Sequence, residues 1–542
     1  MVLDAVWRRI DELSSSSLAK RFAYLGSIAF LISLILLPPV LGIGFKFNLI
    51  NQVFSDPSLL TRSKAAIFNS FAIAFGVASI DLIAALPMAW FITRGSPRLK
   101  DLIDALVDIP FIIPTVALGF STLVFWGNTG PISVLGFTVQ PGLQLILLLH
   151  FAFSYPVIVR VMVGELLAYN RIYETAAKTL GAKSFTIART ITLPLLRPGL
   201  IAAFLLAFAR SLSETGATLI VAGSFENGPV FISNAKNAGL EGPLVLVSFS
   251  LIVFSVTVFG LIRLLGPRLK LPLNRVLPGF EATLSSSRTV DLRNAVTFIV
   301  FAFFVLVPSI YITFPAIHAL TDGTLQRAIS GIGVWSEYWK AMALSYSIGF
   351  ITTMVNVVAG LPIAILIARK KLGRLATSIL DAAVNVPIVV PSIALGVSLS
   401  FFWRSFGFLP EFWIIVFAHT TITYTYFVQA MAASIEQIPE EMEETAKTLG
   451  SRPLTLFRRI VVPLTKYSIF SGAILTFTRS VDETGATTAV SQNLKTAPVL
   501  LVSWVKHTVP ATTSDIALGI AFLVLTSFAS LLVLRVFIYR RP

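Results

Sequence analysis

The sequence predicts an all-α integral membrane protein of about twelve transmembrane helices, arranged as two parallel six-helix repeats, each with a short surface helix of its own. Three observations predict it. Of 542 residues, 55% are hydrophobic and 13% charged, with a mean hydropathy of +0.83; soluble domains carry about a quarter charged residues. Apolar runs near the ~20 residues that a bilayer needs recur twelve times. Residues of the first half also return in the second at a constant offset.

Arg8, Arg9, Lys20 and Arg21 precede the first apolar run, which has no small-residue cleavage signature. It reads as a retained helix and not a removed signal peptide. Spanning runs fall at 22–44, 66–93, 103–126, 142–165, 197–222 and 244–265, then at 295–316, 341–368, 377–403, 411–433, 467–490 and 514–537. Pro110 and Pro114 in the third run, with Pro387 and Pro391 in the ninth, are expected to kink or break their helices. Between the two sets lies a polar, basic stretch with Pro267, Pro272 and Pro278, so the domains read as 1–265, a linker over 266–294, and 295–542.

Glu443 repeats Glu174 at an offset of 269 residues (443 − 174), and the same offset relates Gly450 to Gly181, Pro463 to Pro194, Glu483 to Glu214 and His419 to His150. Six spans per copy is an even number, so the copies are parallel, about an axis along the membrane normal. Lys and Arg crowd one set of loops, including Arg94, Lys178, Lys183, Arg189, the Arg369-Lys370-Lys371 cluster, the linker and Arg540-Arg541. By the positive-inside rule these loops and both termini are cytoplasmic. The same placement explains the net charge of +15 without nucleic acid, since no basic patch with interleaved aromatics sits in a polar domain. The chain has no cysteine, no pair of histidines at metal-ligand spacing and no GxxxxGK[ST] phosphate loop.

A polar stretch from Tyr173 to Pro194 interrupts the apolar runs but is too short and charged to cross a bilayer. Ala176, Ala177 and Leu180 favour a helix, Gly181 suits its C-terminal stop, and a second short helix follows until Pro194. A helix–turn–helix at the membrane surface is expected here and again around Gly450. A passive amphipathic anchor would have no need of two copies at matched spacing.

The pair resembles the cytoplasmic loop of ABC importer permeases, whose pattern is EAA, then Gly, then Ile-x-Leu-Pro. In the first copy Ala176, Ala177, Gly181, Ile191, Leu193 and Pro194 match, with Thr175 at the Glu position and Glu174 before it. In the second, Glu444, Ala446, Gly450, Ile460 and Pro463 match, while Thr445 and Val462 depart; Glu443 is placed as Glu174 is. The resemblance implies two permease units fused in one chain, and an ABC ATPase dimer docked on both loops as coupling helices. ATP would be held by that partner and no cofactor by this chain. An extracytoplasmic binding protein would deliver the solute, and the location would be a prokaryotic inner membrane.

The fifth and eleventh runs contain ARSLSETGATLIVAG and TRSVDETGATTAVSQ. Arg210 with Glu214, and Arg479 with Glu483, stand at i, i+4 and would share a helix face. Each lies well inside an apolar run, where an unpaired charge costs at least about 2.5–3.5 kcal/mol. They are candidates for internal salt bridges or for a gate. Gly216 and Gly485 are small enough for close packing of the two helices. His150 and His419 are expected to hydrogen-bond between helices, with a proton relay as the alternative. In length and fusion the chain resembles ferric-iron and thiamine-type permeases, whereas Arg-x-x-x-Glu-x-Gly-Ala is similar to single-unit permeases for oxyanions such as sulfate and molybdate. Iron or a thiamine-type solute is the first expectation, an oxyanion the second. A parallel-repeat secondary transporter without an ATPase is the reading from another class; a membrane enzyme lacks a visible nucleophile–base pair or metal cluster.

Overall fold

A computed structural model describes residues 11–12, 14–95, 97–268 and 278–539, and among these the chain is helices joined by turns, with no strand. Arg8, Arg9, Arg540, Arg541 and the linker stretch 269–277 lie outside the described residues.

Among the described residues, eight helices are long and apolar enough to cross a membrane: Arg21–Phe45, Pro57–Arg94, Leu143–Ala168, Glu241–Leu265, Ser287–Thr321, Val334–Ala368, Pro453–Val481 and Thr513–Ser530. Three bent pairs bring the total to eleven. The remaining expected span is the helix Glu411–Glu436. Thr420, Thr421, Thr423 and Thr425 dilute its hydropathy, and all four are buried against neighbouring helices.

The third and ninth spans break where their prolines require it. Lys100–Phe111 meets Thr115–Leu135 at 102°, and Arg374–Val389 meets Ser392–Arg404 at 103°. Ile113 and Val390, each the residue before a proline, are extended, with ψ of 126° and 137°; proline's ring disfavours the helical conformation there.

The fifth and eleventh spans differ from the expected continuous helices. Helix Arg197–Ser213 ends before Glu214, which is extended (φ −69°, ψ 126°), and a short helix Gly216–Val221 follows. In the second half, Val462–Val481 and Gly485–Val490 repeat the interruption. The fifth span also turns by 73° between Leu195 and Arg197, where Pro198 follows; Tyr467 stands at that place in the second half, and Pro453–Val481 passes as one span. The expected stop at Pro194 therefore comes two residues later in the first copy and is absent at Pro463 in the second.

The first span of each half packs on the other half. Arg21–Phe45 lies along Ser392–Arg404 and Val334–Ala368, and Ser287–Thr321 lies along Pro57–Arg94, Thr115–Trp126 and Leu143–Ala168. Serines secure both exchanges. Ser121 Oγ donates to the Pro308 carbonyl (2.6 Å) and accepts from the Ile312 N–H (2.8 Å). Ser398 Oγ likewise donates to the Pro39 carbonyl and accepts from the Ile43 N–H (3.1 Å). Each hydroxyl stands between an N–H and the carbonyl four residues before it, the insertion that opens a helical ladder.

Candidate functional site

The surface element forms as expected, with a two-bond stop. Helix Ile172–Thr179 ends at Gly181, whose φ is +83°. The Ala182 N–H reaches the Ala177 carbonyl and the Gly181 N–H reaches that of Lys178, both at 3.0 Å, the paired pattern of a glycine-terminated helix. Helix Glu440–Thr448 ends the same way: Gly450 has φ +81°, and Ser451 and Gly450 donate to Ala446 and Lys447 at 2.9 Å. A side chain at either glycine would force a left-handed conformation that costs about 1–2 kcal/mol.

Glu174 and Glu443 do not face outward. Glu174 is buried, pairs with Arg94 (2.8 Å) and accepts from the Thr192 hydroxyl (3.0 Å). Glu443 pairs with Arg369 at 2.7 Å. Each acid thus ties its element to the end of the second span of its own half. Ala177 and Ala446, matched residues of the two expected docks, also face inward and so offer no outer surface, whereas Thr175, Ala176, Glu444 and Thr445 are exposed. Leu180 and Leu449, equivalent residues just before the glycines, are 87% and 81% exposed. A leucine between a helix end and its glycine stop, in both copies, is the mark of them in the sequence.

Acids from ahead of the exchanged helices hold the second part of each element. Glu281 accepts from the Thr186 hydroxyl and pairs with Arg189 (2.5 Å), while Ser285 Oγ accepts from the Phe185 N–H (3.0 Å). Asp11 accepts from the Thr455 N–H (3.0 Å) and hydroxyl (2.5 Å), and Ser14 Oγ accepts from the Leu454 N–H (3.3 Å). Thr186 and Thr455 are equivalent residues, so the contact is duplicated with the fold.

At the centre, the two interrupted spans meet. A Cβ on Gly216 would lie 2.7 Å from Thr484 Oγ1, and one on Gly485 would lie 2.8 Å from Thr215 Oγ1. These reciprocal approaches bring the two interrupted spans into direct contact. Ala217 and Ala486 pack instead on Gly119 and Gly396, whose added Cβ atoms would each come 2.7 Å from the alanine Cα. Glu214 and Glu483 lie beyond their helix ends, so neither shares a helix face with its arginine. Their carboxylates accept from the Ala217 and Ala486 N–H groups, both at 2.9 Å, capping the short helices.

The arginines differ. Arg479 pairs with Glu483 at 2.6 Å. Arg210 instead stacks on Phe153, 3.8 Å from the ring centre, and donates to the Phe153 carbonyl (3.3 Å). Ile422 occupies the equivalent place in the second half and offers no ring. Asp482, where the first half has Ser213, accepts from the Thr115 N–H at 2.9 Å and so ties the second half to the broken third span of the first. His150 bridges Ser211 (2.8 Å) and Thr218 (2.9 Å), and His419 bridges Ser480 (2.8 Å) and Thr487 (2.7 Å). Both rings hold the fourth or tenth span to both sides of an interruption. Among the described residues no group of three His, Asp or Glu is placed to hold a metal.

Known proteins agree with this layout. The family described as "Binding-protein-dependent transport system inner membrane component" matches residues 81–271 and again 360–539, leaving both exchanged first spans outside the matched segments. The molybdenum transport system permease protein ModB of Mycobacterium bovis is 30% identical over 208 residues, covering 38% of this chain and 77% of that protein. The ModB of Haemophilus influenzae is 32% identical, covering 34% of this chain and 79% of its own length. The sulfate transport system permease protein CysT of Salmonella typhimurium is 32% identical, covering 37% and 74%. With two family units filling most of its length, the chain belongs to the inner-membrane permease components of binding-protein-dependent ABC transport systems, as a fusion of two such units.

Proposed function

We propose that this chain forms the translocation path of an ATP-driven importer for a small oxyanion of the sulfate or molybdate kind. The observation that carries the solute class is the likeness of the permease units to molybdenum and sulfate permeases, joined to Arg-x-x-x-Glu-x-Gly-Ala at both interruptions. This reading replaces the iron or thiamine-type solute expected from length and fusion, since none of those relatives is named for either.

An ATPase dimer would dock on the two surface elements, one subunit to each. Thr175, Ala176, Leu180, Glu444 and Leu449 would meet the partner, while Glu174 and Glu443 would pass its movement to the second and eighth spans through Arg94 and Arg369. Both elements and both termini would be cytoplasmic, as the basic loops suggest. A binding protein would release solute on the opposite face. Rocking one half against the other would separate Gly216 from Thr484 and Gly485 from Thr215, opening the centre.

The test is uptake into vesicles by the chain assembled with its ATPase and binding protein. Radiolabelled sulfate or molybdate should accumulate only with ATP, and ferric iron or thiamine should not compete. Accumulation without any ATPase would instead support a secondary transporter. Gly181→Asp with Gly450→Asp should abolish co-purification of the ATPase; retention of the ATPase by that variant would refute the docking assignment.

A further inference from the structure

Two cavities adjoin on the wall where the second span meets the exchanged seventh. One, of about 360 Å³, lies between Ala84 and Pro87 of Pro57–Arg94 and Leu292, Val296 and Val300 of Ser287–Thr321. Its walls are apolar, and Leu292 and Val296 are exposed on the outside of the bundle. The second, of about 220 Å³, lies towards the surface element and is lined by Arg94, Glu174, Lys178, Ser184 and Arg293 among others. Arg293 lines both.

The charges do not balance. Glu174 is committed to Arg94. Arg293 donates to Asn294 Oδ1 on its own helix at 2.8 and 3.2 Å, and among the described residues no carboxylate pairs with Arg293 or Lys178. Arg293 at the end of the apolar slot and Lys178 in the adjoining polar cavity are therefore without a carboxylate partner, and long basic side chains beyond an apolar stretch reach for the membrane surface. Basic pockets between membrane helices at this level suit anionic lipid headgroups. We propose that the paired cavities are a site for one anionic phospholipid, with an acyl chain along Pro87 and Val296 and the phosphate on Arg293 and Lys178. A free phosphate would use the cations but leave the slot empty.

The second half lacks the arginine of this site. With Pro308 matched to Pro39 in the exchanged helices, as the two serine contacts place them and at an offset of 269 residues (308 − 39), Tyr24 stands where Arg293 does. The Tyr24 hydroxyl accepts from Lys371 at 2.7 Å, so that place holds a tyrosine engaged with a cation and not a second arginine. Lys178 belongs to the surface element, so the lipid would touch the proposed ATPase dock; its binding does not depend on that assignment or on the solute.

Native mass spectrometry of the full chain in detergent, titrated with phosphatidylglycerol or phosphatidylcholine, tests the site. Wild type should hold one phosphatidylglycerol in preference to phosphatidylcholine. Arg293→Gln and Lys178→Gln should each weaken it about fivefold, the loss of one surface-level cation, and Arg263→Gln on the sixth span should not. Val296→Trp, at an exposed position, should block the slot and lower binding with both cations intact. Equal affinity for the two lipids, or unchanged phosphatidylglycerol binding in the Arg293→Gln, Lys178→Gln double variant, would overturn the site. Displacement of the lipid by millimolar inorganic phosphate, or undiminished binding in Val296→Trp, would overturn the lipid assignment.

Discussion

Arg210 and Arg479 hold equivalent places and have different partners because Phe153 lies beside one and Ile422 beside the other. Glu483→Gln leaves the half-buried Arg479 guanidinium without its ion pair and should cost about 1.5–3 kcal/mol, the worth of a hydrogen bond to a charged group. Glu214→Gln should cost much less, since Arg210 keeps its ring and carbonyl contacts and glutamine can still accept from Ala217. In a Phe153→Ile background the two costs should converge; thermal melts of the four variants in detergent measure this, and equal costs in the parent would contradict it. A second pair is informative because the repeat supplies its own control. Asn356 donates to Thr423 Oγ1 (2.8 Å), which donates to the His419 carbonyl (2.7 Å). Asp81 occupies the Asn356 position, bonded to Ser154, which reaches the His150 carbonyl at 2.7 Å. Asp81→Asn should leave stability nearly unchanged, whereas Asp81→Leu should lose about 1–3 kcal/mol through an unsatisfied buried partner. A melting temperature that falls equally in both would show the site is not a relay of hydrogen bonds.

The surface elements are short, and an isolated helix of eight or nine residues is not stable in water. They persist through their anchors: a glycine stop, an internal acid–arginine pair, and an acid arriving ahead of an exchanged helix. An ion pair accompanies the acid anchor of each element, and the two pairs differ in burial. Glu281 is 2% exposed and pairs with Arg189, whose side chain is largely covered; Glu12 pairs with Arg452 at 3.3 Å in the open. Glu281→Ala should therefore destabilise the first element by about 3–5 kcal/mol, and Glu12→Ala should cost less than about 1 kcal/mol. Hydrogen exchange at residues 184–192 reads the first effect directly. Protection there that survives Glu281→Ala would mean that the helix stands on its own packing.

At the scale of the whole molecule, the hydropathy pattern and the 269-residue offset were enough for the spans, the repeat and the two surface elements, because burial against lipid and motif spacing are local properties. Three features were not legible. The interruption at Glu-Thr-Gly sits inside apolar runs that hydropathy reads as continuous; Thr followed by Gly in both copies was its only mark. The inward turn of Glu174 and Glu443 depends on Arg94 and Arg369, some eighty residues away in the chain. The exchange of the first spans depends on where helices pack, and no sequence period encodes that. Ser121 and Ser398 record the exchange in chemistry, since each satisfies a backbone carbonyl and an N–H of a helix from the other half. Replacing either by alanine leaves both backbone groups buried without that partner, at about 1–3 kcal/mol for each group left unmade. If the exchange holds the halves together, co-expressed fragments 1–277 and 278–542 should co-purify, and Ser121→Ala with Ser398→Ala should lower the recovered complex at least tenfold. The variant's helices would remain intact by circular dichroism, because the loss falls on association and not on the spans themselves. Undiminished recovery of the complex would assign the union of the halves to the central Gly216–Thr484 and Gly485–Thr215 contacts alone.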